Sequence, residues 1–110
     1  MKLRVYETAA LSIVEQADYY QEKAGEELAL RWASAIDEVI RSILRWPDIG
    51  ARCRFRSPSL AGLRWTSVQG FPKHAIFYRY VQAEETVFVI QVLHGAQDIE
   101  SIFGDEEDTT

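Results

Sequence analysis

A chain of 110 residues with 47% apolar and 26% charged side chains has the size and composition of one soluble globular domain, large enough to bury a core without covalent staples. Its single cysteine, Cys53, excludes an internal disulfide framework, no apolar run approaches the roughly 20 residues that span a bilayer, and the amino terminus lacks the apolar stretch of a signal peptide. The expectation is a cytoplasmic protein without a membrane partner, in which Cys53 is a half-buried strand residue and not a reactive thiol.

The net charge of −5 is unevenly spread. Residues 1–40 carry four Lys/Arg against eight Asp/Glu, residues 41–80 eight against one, and residues 81–110 none against eight. The middle is therefore a basic island of Arg41, Arg45, Arg52, Arg54, Arg56, Arg64, Lys73 and Arg79. Arginine suits bidentate contacts to carboxylate or phosphate, so the island reads either as a recognition surface or as a solvated face balancing acidic helices.

In chain order, Lys2 to Thr8 alternates Leu3 and Val5 with polar residues, as a short strand with one face on a core does, and Thr8 is placed to cap a helix. Ala10, Ile13, Val14, Ala17 and Tyr20 then recur at helical spacing up to Gly25, a helix-ending residue expected in the left-handed region. Leu28, Trp32, Ala35, Ile36, Val39 and Ile43 continue the period to Trp46, where Pro47 stops the helix and Asp48-Ile49-Gly50 turns the chain. Two such helices with a short connection pack as an antiparallel hairpin.

Ala51 to Phe55 suggests an edge strand and Ser57-Pro58-Ser59 a loop. Strands are expected over Gly62–Val68, Lys73–Val81 and Thr86–Leu93, the last two forming a hairpin across Gln82-Ala83-Glu84-Glu85. Within the middle one, Ile76, Tyr78 and Tyr80 share one face, and Ala75, Phe77 and Arg79 the other. Ile99 to Phe103 suits a helical turn, and residues 104–110 have the composition of a disordered acidic tail. The whole predicts one α+β domain over residues 1–103: a strand, a two-helix hairpin, then an antiparallel meander of three to four strands, with both helices on one sheet face and the other face at least partly open.

The chemistry this pattern excludes is broad. His74 and His94 have no cysteine or carboxylate cluster at metal-ligand spacing, and there is no HExxH, nucleophile elbow or phosphate-binding glycine loop, so neither metal nor cofactor is expected. Two possibilities remain for the polar cluster closing the last strand. Arg64, Arg79 and His94 could converge as phosphate-binding and proton-transfer groups, or His94 and Asp98 could simply fix the turn while Arg64 holds an acidic residue.

Five pieces, in order, resemble the ParE-type toxins of the RelE/ParE superfamily, the toxin half of bacterial type II toxin–antitoxin (plasmid stabilisation) pairs. They are Ala10, Ile13 and Tyr20 on the first helix; Trp46-Pro47-Asp48-Ile49-Gly50; Gly62-Leu63-Arg64; Phe71-Pro72-Lys73-His74-Ala75-Ile76-Phe77-Tyr78-Arg79; and Val92-Leu93-His94-Gly95-Ala96-Gln97-Asp98. The resemblance implies the same architecture and a cognate antitoxin that wraps the toxin in a hetero-oligomer. It also implies one of two activities: ribosome-dependent mRNA cleavage, as in RelE-like members, or poisoning of DNA gyrase, as in ParE-like ones, either arresting growth. Gln97 stands where similar sequences carry arginine, and Phe103 where a tyrosine is usual, which favours a gyrase inhibitor that is not an enzyme over an endoribonuclease using Arg64, Arg79 and His94. A third reading is an antitoxin-binding module without toxicity. The expected partner-binding residues are Arg54, Arg56, Arg64, Tyr78, Arg79, His94, Gln97 and Asp98.

Overall fold

The computed structural model describes residues 1–54 and 58–95. The expected helical turn at 99–103 and the tail at 104–110 lie outside them, as do Arg56, Gln97 and Asp98. A strand β1 (Lys2–Val5) leads into helix α1 (Glu7–Ala24) and helix α2 (Glu26–Arg45), followed by strands β2 (Ala51–Arg52), β3 (Leu63–Val68), β4 (Phe71–Val81) and β5 (Thr86–His94). The five strands form one sheet in the order β1-β5-β4-β3-β2. The meander is antiparallel as expected, but β1 pairs parallel to β5, so the sheet is mixed. The α1–α2 hairpin carries the chain from β1, at one edge, to β2, at the other.

Glycine makes the hairpin this tight. Gly25 alone separates the helices, with φ 98° and ψ 171°, a combination close to glycine-only and not the left-handed helical one expected. The α1 start also differs from expectation. Tyr6 is the cap position, without a side-chain bond, because the Thr8 hydroxyl donates instead to the Ile90 carbonyl at 2.9 Å and ties α1 to β5.

Ala9 is the fully buried residue of α1, with Ile13, Ala17 and Tyr20 packed beside it, while Ala10 and Val14 are exposed. The expected α1 stripe is thus kept at Ile13, Ala17 and Tyr20 and differs in having Ala9 in place of Ala10 and Val14. On α2, Ala29, Trp32, Ile36 and Ile43 are buried. Together these cover Val68, Ile76, Tyr78, Val87, Val89 and Val92 of the sheet, which form the main core. Leu3 and Val5 remain exposed, since β1 is an edge strand at the chain's start.

The other sheet face is less open than expected. Leu63, Ala75, Phe77 and Leu93 are buried there, with Cys53 and Ile90 packed against them. Burial pushes the Cys53 thiol pKa up, which suits the inert role expected of it. Between Phe77 and Tyr78 the β4–β5 register slips, with Phe77 opposite Gln91 and Tyr78 opposite Val89, so that Ile90 is the extra residue of a bulge.

Candidate functional site

The expected site residues divide between the two sheet faces. Arg64 lies on the helix side. Its guanidinium donates to the Gly50 carbonyl at 2.8 Å and the Asp48 carbonyl at 3.3 Å, and it meets the Asp48 carboxylate at 3.3 Å. Asp48 is 87% exposed against 17% for Arg64, so the carboxylate contact is weakened by water and the carbonyls are the firmer anchor. Tyr78 stands beside it, wholly buried. Its hydroxyl accepts from the Gly50 N–H and donates to the Pro47 carbonyl, both at 2.8 Å. Burial pushes the phenol pKa up, opposed by the Gly50 hydrogen bond and the Arg64 charge. A side chain at position 50 would put its Cβ 2.7 Å from the Tyr78 hydroxyl and 2.8 Å from the Trp65 carbonyl oxygen, so only glycine fits. This clamp joins the Pro47–Gly50 turn to β3 and β4.

His94 also lies toward the helices. It pairs across the strands with His74, ring to ring at 5.1 Å and nearly perpendicular. His74 is buried among Trp32, Tyr20 and Phe71, 4.7 Å from the Trp32 ring, and neither of its ring nitrogens has a hydrogen-bond partner among the described residues. Burial, with a smaller contribution from His94, holds the His74 pKa below its ordinary value. A cleft of about 340 Å³ opens beside the pair, between Ser12, Glu15 and Tyr19 of α1 and the end of β5.

Arg79 occupies the opposite face, alternating with Tyr78 and paired with buried Leu63. Arg64, Arg79 and His94 therefore do not converge, because the sheet separates the first and last from the second. Alternation with Tyr78 already sets the face of Arg79, whereas the face of His94 depends on the β5 bulge, which alternation does not reveal.

The second face instead holds a groove of about 430 Å³. Phe77 and Ala75 of β4 and Trp65 and Ser67 of β3 line it, together with Cys53 and Gly95. Arg52, Arg54 and Lys73 also line it, and among the described residues no Asp or Glu does. Of the expected partner-binding residues only Arg54 lines this groove among those described. Trp65, Phe77, Lys73 and Arg52 were missed as site residues, although the two-residue alternation of Gly62–Val68 already set Trp65 on the side opposite Arg64. Cations around an aromatic floor can bind an anionic, partly apolar ligand by charge and stacking together. Among the described residues no three His, Cys, Asp or Glu side chains stand together to hold a metal ion, and no helix is long and apolar enough to cross a membrane.

A family model described as the ParE toxin of the type II toxin-antitoxin system parDE matches residues 3–99. Among solved structures, the chain is similar to one of the chromosomal ParDE toxin-antitoxin system from P. aeruginosa, with 19% identity and a TM-score of 0.68 over 86% of this chain and 95% of that one. It is similar to a chain of the intact E. coli RelBE toxin-antitoxin complex, with 18% identity and a TM-score of 0.55 over 88% and 98%. A YoeB/ParE toxin from Agrobacterium tumefaciens gives 20% identity and 0.56 over 86% and 98%. At these identities the structural likenesses carry the fold. No curated protein matches the sequence.

Proposed function

The chain belongs to the ParE toxin family of type II toxin–antitoxin systems, and from that premise we propose that it acts by binding, as a ParE-like inhibitor of DNA gyrase held inactive by a cognate antitoxin. One observation carries the choice of a binder over a nuclease. Arg64 is committed to the carbonyls of the Pro47–Gly50 turn, and His94 packs on His74 toward the helices, so neither joins Arg79 on the other face. A self-cleaving attack on RNA needs base, cation and acid around one phosphate.

The antitoxin reading rests on the groove. Among the described residues three cations stand around Trp65 and Phe77 without a carboxylate in the lining, which suits an acidic, amphipathic segment that folds as it binds. The structural relatives named above include toxin–antitoxin complexes, in keeping with a hetero-oligomer here. The place of action is the cytoplasm, the effect of free toxin is growth arrest, and the role of the pair is plasmid stabilisation.

Purified protein is expected to inhibit supercoiling by gyrase and to leave mRNA intact in translating extracts. Cleavage of mRNA without any effect on supercoiling overturns the reading. A RelE-like endonuclease is the second reading, favoured by the same groove, since cations beside aromatic rings also suit a single-stranded nucleic acid. An unchanged mRNA pattern after induction removes it. Unimpeded growth on induction without antitoxin would instead point to a non-toxic antitoxin-binding module.

A further inference from the structure

We propose that the basic groove has an occupant within the chain itself, the acidic segment 105–108, which an acidic partner must displace. Among the described residues the groove's lining supplies Arg52, Arg54 and Lys73 and no carboxylate. Gly95, the last described residue, is itself part of that lining, so the rest of the chain departs from the groove's own wall. Fifteen residues follow it, with six Asp/Glu and no Lys/Arg, and Asp105, Glu106, Glu107 and Asp108 are consecutive.

Distance and charge point the same way. Ten residues span at most about 33 Å when extended, so a segment starting ten residues past Gly95 is within reach of a groove whose lining includes Gly95. On the helix side, residues 1–40 carry eight acidic groups against four basic ones and repel it. Tethering to the groove's wall sets an effective concentration on the order of millimolar. Attraction too weak to hold a free peptide therefore suffices to hold this one. Charges here act over a screening length of about 8 Å at physiological salt. The inference depends on the groove's electrostatics and not on the toxin's target, and it deepens the antitoxin reading in one respect: the incoming segment meets a competitor.

The test compares the full chain with a full-length variant carrying Asp105→Asn, Glu106→Gln, Glu107→Gln and Asp108→Asn, both checked for folding by circular dichroism. The Trp65 indole resonance is expected to move between the two at low salt, and the Trp46 indole to stay. Affinity for hexaglutamate, the acidic probe, is expected to rise about three- to tenfold in the variant, as a competitor of millimolar effective concentration predicts, with the difference gone at high salt. Identical Trp65 resonances and equal hexaglutamate affinity overturn the proposal. So does a Trp65 difference that grows with protein concentration, which would place the tail of a second copy in the groove. If Trp65 responds to the tail but neither protein binds hexaglutamate, the intramolecular contact stands and the acidic-partner reading falls.

Discussion

Tyr78 shows how much a single hydroxyl can organise. It satisfies a buried N–H and a carbonyl of the same turn, so Tyr78→Phe leaves both without their partner. The expected loss is about 1–3 kcal/mol, read as a lower urea midpoint with an unchanged slope; an unaltered midpoint would show that water replaces the hydroxyl. His74 makes the pH prediction. Its folded pKa lies below the ordinary 6.5, so the unfolded chain binds the proton more readily. Stability is therefore full above that value and declines as pH falls through and below it, by up to about 1.4 kcal/mol per pH unit. His94 and Glu15 are the other ionisable groups lining the adjacent cleft besides Tyr19. Melting temperature should drop between pH 7.5 and 5.5 in the native chain and less in His74→Phe, and parallel pH profiles for the two would falsify the assignment to His74. None of this was legible in the sequence. Pro47 and Gly50 announced a turn, but nothing local says that Tyr78, about thirty residues on, closes it, or that folding buries the His74 ring.

At the scale of elements, sequence reading succeeded where the signal is periodic and failed where a neighbour decides. The α2 stripe of Trp32, Ile36 and Ile43 is plain in the spacing because one face of a long helix meets one sheet. The α1 stripe is legible at Ile13, Ala17 and Tyr20 but not at its start, because Ala9 sits where small size permits close approach, a choice hydropathy does not rank above Val14. Thr8 looked like a cap until the Ile90 carbonyl proved the better acceptor. Trp32 is the element-scale test. It is fully buried, donates its indole N–H to the Ile13 carbonyl at 3.0 Å and packs on Phe71, Tyr20 and His74, thereby joining both helices to the sheet. Trp32→Ala is expected to cost about 3–5 kcal/mol, enough to threaten folding at 37 °C; Trp32→Phe keeps the packing and should cost markedly less in the same denaturant titration.

Across the whole molecule, charge and layer coincide. The helix layer comes from the acidic first third of the chain, and the groove's cations come from the basic middle. The charge division was visible in the sequence, yet assigning the arginines to faces was not, since Arg64 and Arg79 are both strand residues and only register separates them. Reversing Arg64 would damage the Pro47–Gly50 clamp, so Arg54→Glu with Lys73→Glu is the cleaner probe of the groove. That pair should weaken antitoxin binding at least tenfold at low salt and flatten its salt dependence, with thermal stability little changed. Calorimetry giving native affinity would remove the groove from the antitoxin interface.

The bulge at Ile90 carries one more consequence. Val89 and Val92, three residues apart, both serve the main core, and Ile90 and Leu93 both serve the second face. β5 is thus two half-strands in opposite phase, and the extra residue acts as a frameshift in space: it sends Leu93 to the groove's side and His94 to the helices. Running the same residues through as an unbroken strand would exchange those two environments, setting an imidazole among the groove's apolar residues and a leucine beside His74, whereas deleting Ile90 would remove the bulge and leave Leu93 and His94 on their present faces. The bulge, and not the residue count alone, thus decides whether His94 belongs to the binding face at all.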